Sequence, residues 1–164
     1  MAFGRQCRVA AAVVAGLVAA AGAAAQGGKG SDGADQKELY NYALTTDKLQ
    51  KLDRATKALG ELSRRHPDYA GISDSKTLDE MDRKMSGLPE VVSALAASGL
   101  KPREYAVGIM TLTQATMAVG FKKSGAYKEY PPDMLKLVSK ANLAFVEQHW
   151  DEIQKLTKSA SSEQ

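Results

Sequence analysis

From Tyr105 to Phe121 the chain carries no charged side chain. A helix with so little polar surface either packs among other helices or lies in a membrane. Thr111, Thr113, Gln114 and Thr116, together with Gly108 and Gly120, make this stretch too polar and too short for a bilayer span, which needs about 20 predominantly apolar residues. Pro102 suits the first turn of a helix, where its missing amide hydrogen costs nothing, and Glu104 favours the positive end of the dipole. The reading is therefore an apolar helix over about 102–122 in the middle of a fold, with small residues that let neighbouring helices approach closely.

The helices around it are legible from spacing and punctuation. Leu49, Leu52, Ala55, Leu59 and Leu62 recur at intervals of three and four, with Lys48, Lys51, Asp53, Lys57 and Glu61 off that stripe. This amphipathic helix is expected to begin between Leu39 and Thr46 and to stop near His66, because Pro67 disfavours helical backbone in the residue before it. His66 and the Arg64-Arg65 pair then complement the dipole at its end. After a loop from Asp68 to Lys76, Thr77 and Glu80 form a possible capping box for a short helix to about Met85. Pro89 opens a third helix over 89–98, and Gly99 suits the left-handed position just past its end.

Beyond Phe121, the segment Lys122 to Pro131 reads as a loop carrying Gly125, Tyr127 and Tyr130. A last helix is expected from Pro131-Pro132-Asp133 to about Lys158, with the stripe Leu135, Val138, Phe145, Ile153 and Leu156 interrupted by Asn142 and His149. Residues 159–164 read as a frayed tail. No stretch shows a period-two run bounded by turn signals. The expected fold is all-α: one compact bundle of four to five helices over 39–158, around the helix at 102–122.

The first residues point to export. Arg5 and Arg8 precede an uncharged run from Val9 to Ala25 that ends Ala23-Ala24-Ala25, the three-part pattern of a secretory signal with cleavage before Gln26. An uncleaved membrane anchor is the competing reading, but a run so rich in alanine is weakly hydrophobic. The protein is accordingly expected to be periplasmic or secreted, with residues 1–25 removed, 26–38 a flexible linker, and no stable membrane insertion afterwards. Cleavage would remove Cys7, the only cysteine, and with it any disulfide, thiolate nucleophile or thiolate metal ligand. It would also leave about 20 basic and 19 acidic side chains. A chain so near neutrality offers no electrostatic footprint for nucleic acid.

No catalytic motif emerges: neither G-x-S-x-G, H-E-x-x-H, a Walker loop nor EF-hand spacing is present. Gly27-Gly28-Lys29-Gly30-Ser31 superficially resembles a phosphate loop but follows no strand and opens no helix. The functional expectation is thus a non-enzymatic binding or interaction module, without cofactor or metal. It would take a small apolar ligand between helices, or a protein partner at loops carrying Tyr69, Tyr127 and Tyr130. The alternative is a haem- or metal-binding bundle using His149, with Glu152 three residues on and Met110, Met117 or Met134 as a further ligand. A complete ligand set cannot be assembled from these spacings, and methionine at helical spacing is far more often core filling. Gln114 and Asn142, the amides interrupting two apolar stripes, are predicted to be mostly buried and to share a polar pocket, with Tyr105 or His149 at its mouth. That pocket would either fix helix register or orient a ligand.

Overall fold

A computed structural model describes residues 33–72 and 74–162. The expected signal at 1–25, the first part of the linker, and the last two residues of the tail lie outside the described residues. Within them the protein is all-helical and without strands, as expected, with eight α-helices in a compact arrangement. They are α1 (Gly33–Asn41), α2 (Thr46–Arg65), α3 (Leu78–Ser86), α4 (Pro89–Ala97), α5 (Pro102–Lys123), α6 (Pro132–Leu137), α7 (Lys140–Gln148) and α8 (Trp150–Ser162), with a 3₁₀ segment (Pro67–Ile72) after α2.

Capping chemistry sets most of these boundaries. The Thr45 hydroxyl accepts from the Lys48 amide at the start of α2, and His66 closes its end with its own N–H on the Leu62 carbonyl. Thr77 caps α3 by accepting from the Glu80 amide at 3.1 Å. The other half of the expected box is shifted by one residue: the Glu80 carboxylate accepts from Lys76 N, and Leu78 N donates instead to Asp35 Oδ2 at 3.0 Å. That hydrogen bond from Lys76, followed by the one from Lys84, holds the Glu80 carboxyl below the usual range. Gly99, at φ +78°, follows α4 in a Schellman turn, with Leu100 N on Leu95 O and Gly99 N on Ala96 O. Pro102 then occupies the first turn of α5.

The core has two parts, and α2 and α5 run through both. Leu52, Ala55 and Leu62 of α2 join Ala106 and Val107 of α5, with Leu78, Met85, Val91 and Leu95 from α3 and α4. Leu49 joins Ala115, Ala118 and Val119, with Leu143, Val146 and Ile153 from α7 and α8. The early residues of α2 therefore meet the late residues of α5, so the two helices lie antiparallel. Where they meet, Gly108 leaves little room for a side chain: a Cβ there would stand 3.0 Å from both Leu52 Cδ2 and Tyr42 Oη, tighter than ordinary contact.

Four expectations need correction. Helix α5 is not enclosed on every side: most of its buried positions follow one stripe through Val107, Thr111, Ala115 and Ala118, while Ile109, Met110, Gln114 and Met117 are half-buried and Phe121 is 45 % exposed. Positions 33–38, read as linker, belong to α1, whose Asp35 and Leu39 are buried. The single last helix is three. Val138 is extended, Ser139 starts α7 by accepting from the Asn142 amide, and His149, outside helical geometry, separates α7 from α8. These breaks let Val138, Leu143, Val146 and Ile153 all reach one cluster. The tail expected from Ser159 continues α8 to Ser162, since neither Gly nor Pro interrupts it.

Candidate functional site

The four residues singled out from the sequence do not converge. Asn142 is buried, at 1 % exposure. Its partners are backbone: Oδ1 accepts from Leu44 N at 2.9 Å, and Nδ2 donates to Tyr42 O at 2.7 Å. Gln114 is half-buried on α5 and shares no hydrogen bond with Asn142, whose amide is taken up by these two backbone groups. The shift follows from the break at Ser139, which places Asn142 in the first turn of α7, facing the α1–α2 connection. Tyr105 packs on the other half of the core, with its hydroxyl 3.3 Å from Thr56 Oγ1, and burial pushes its ionisation upward. His149 sits between α7 and α8, stacked on Phe145 at 4.4 Å between centroids and 3.1 Å from Glu152 Oε2. Among the described residues no three His, Cys, Asp or Glu side chains gather in a metal-binding group.

A different surface is organised by the loop after α5. Gly125, at φ +80°, makes a second Schellman turn, with Ala126 N on Phe121 O and Gly125 N on Lys122 O. This turn folds the chain back so that Tyr127 meets Phe121 edge to face, with ring centroids 6.0 Å apart. Both rings are open to solvent, at 40 % and 45 % exposure. From the same segment Tyr130 Oη and Lys122 Nζ donate to Glu147 Oε1, each at 2.8 Å, and the Lys122 ammonium lies 4.7 Å from the Tyr130 ring centre. Lys122 and Tyr130 hold the Glu147 carboxyl below its usual range, whereas burial and the adjacent carboxylate raise the ionisation of Tyr130.

This triad forms one wall of an open groove of about 340 Å³, floored by Leu135 and Leu143. Tyr69, the third loop tyrosine of the sequence reading, is elsewhere: it stacks on His66 and donates to Glu90 beyond the end of α2. Sequence reasoning placed Tyr127 and Tyr130 on this loop but missed Phe121, assigned to the buried helix, and Glu147. The spacing of Phe121 and Gly125 was the available signal, since a glycine just past a helix end turns the chain back over its last residues.

Compared with known proteins, the chain matches no family model, no curated protein and no solved structure. No described helix is long and apolar enough to cross a membrane.

Proposed function

We propose that this chain is an exported helical interaction module, periplasmic or secreted, that engages a protein partner through the loop between α5 and α6. The carrying observation is the exposed Phe121–Tyr127 pair, ordered by the Gly125 turn and carried by the same helix end and loop as Lys122 and Tyr130, which hold Glu147. Exposed aromatic rings already fixed in place lose little entropy when a partner covers them, and aromatic anchors dominate binding energy at interfaces. The adjoining groove is open rather than enclosed, a shape suited to a protein surface more than to a small apolar ligand between helices.

Two measurements test this. Fractionation of the native host with terminal sequencing is expected to find the chain outside the cytoplasm beginning at Gln26; a retained Met1 in membranes would remove the export component. Affinity capture with the full chain, repeated with a Phe121→Ala/Tyr127→Ala variant of unchanged helical content, is expected to lose the captured partner by about tenfold in affinity. Retention of every partner by that variant would remove the loop as the interface.

A further inference from the structure

Helix α1 is held to the rest of the molecule mainly by polar and ionic contacts. Of its nine residues only Leu39 and the charged Asp35 are buried. Along one flank an open groove of about 520 Å³ separates Gln36 and Tyr40 from Leu135, bridged by the Gln36 side chain donating to Leu137 O at 2.9 Å. On the other flank Arg103 of α5 gathers carboxylates from two helices. Its Nε donates to Glu38 Oε1 at 3.1 Å and its Nη2 to Glu38 Oε2, Nη1 donates to Asp79 at the start of α3, and Asp35 Oδ1 stands 3.7 Å away. The chain beyond α1 is pinned by Asn142, which holds Tyr42 O and Leu44 N.

We propose that α1 is a hinged strap, latched by Arg103 and pivoting at Tyr42, that opens as a unit while the rest of the bundle stays folded. A nine-residue helix in isolation has little stability of its own, so its persistence depends on its seat. That seat supplies one leucine of apolar burial and a set of ionic contacts around a guanidinium that is 30 % exposed. Contacts of this kind weaken with salt, whereas the apolar contacts holding α2, α5 and α7 do not. The fixed hydrogen bonds to Asn142 set where opening stops. Opening removes Asp35 from the α3 amide, frees the Arg103 guanidinium of two carboxylates and uncovers the slot of Leu39 beside Thr111, whose hydroxyl donates to Leu39 O.

Hydrogen exchange followed by mass spectrometry on the full chain tests this. The amides of residues 37–41 are expected to exchange well before those of α5, and about fivefold faster at high salt than at low, a factor matching an exposed ionic cluster. Arg103→Met is expected to speed α1 by a similar factor at low salt and to abolish the salt effect, with α5 protection unchanged. Should that variant fail to fold, Glu38→Gln is expected to speed α1 by a similar factor and to remove most of the salt effect, because it takes away the α1 carboxylate that Arg103 holds most closely and leaves the Asp35 cap on α3. Exchange of α1 in step with α5 in the parent chain, or a salt response that persists in the folded variant, would overturn the strap.

Discussion

Asn142 ties together segments a hundred positions apart, and its side chain satisfies two backbone groups that would otherwise be buried without partners. Replacing it with Leu keeps the volume and leaves Leu44 N and Tyr42 O bare. Each orphaned group costs on the order of 1 to 3 kcal/mol, and local relaxation recovers part, so Asn142→Leu is expected to destabilise by about 2 to 4 kcal/mol in denaturant unfolding. A variant of parental stability would show that water replaces the amide. Gly108 presents the opposite problem, too little space. An Ala Cβ would gain about 1 kcal/mol of helix propensity but press on Leu52 and the Tyr42 hydroxyl, and overpacking costs about 1 to 3 kcal/mol. Both Leu52 Cδ2 and Tyr42 Oη are side-chain ends with some freedom to move, so Gly108→Ala should destabilise by about 1 kcal/mol; a gain in stability would mean that Tyr42 swings clear.

At the scale of elements, glycines outside the core separate two roles. Gly60 lies exposed within α2 with nothing near its missing Cβ, so Gly60→Ala is expected to stabilise by about 0.5 to 1 kcal/mol. Gly99 sits at φ +78° in the turn after α4, and Gly99→Ala should cost about 1 to 2 kcal/mol. Thermal melts of the two variants moving in opposite directions would check the pair. The same local chemistry explains how much of the fold was legible. Pro89, Gly99, Pro102 and Pro67 act within a few residues of themselves, and the boundaries of α4, α5 and α2 followed from them. Helix α1 could not be read that way, because one leucine makes no periodic stripe and its seat depends on Arg103 and Leu78, distant in sequence. The split of the last helix escaped for a related reason: its apolar residues keep a helical spacing straight through Ser139 and His149, and only packing against Leu49 and Val119 reveals the turns. The site suffered most, since Asn142 faces elsewhere once α7 is its own helix, and Glu147 gains meaning only from Lys122 and Tyr130, distant in sequence but hydrogen-bonded to it.

The molecule as a whole stores a dependence on alkaline pH in three tyrosines that belong to different parts of it. Burial raises Tyr42 to about 12, assisted by the nearby Glu104 carboxylate. Burial also raises Tyr105, and burial with the Glu147 hydrogen bond raises Tyr130. Each phenol is neutral in the folded state at a pH where the unfolded chain, with its ordinary value near 10, has begun to ionise. The folded state therefore binds more protons than the unfolded state above that point, and stability falls as pH rises. The contribution is fully present below about 10 and is lost progressively toward about 12 as Tyr42 ionises. Tyr42 lies in the connection held by Asn142, Tyr105 in one half of the core and Tyr130 at the loop surface, so ionisation acts on all three regions at once. Tyrosinate absorbance followed with far-ultraviolet dichroism is expected to show late ionisations that coincide with loss of helix, and urea should bring them forward to the ordinary range. Tyr42→Phe, which removes a hydroxyl that has no hydrogen-bond partner, should shift the alkaline transition to higher pH while leaving neutral-pH stability equal or improved. An unchanged alkaline midpoint in that variant would show that Tyr42 ionises without opening the fold.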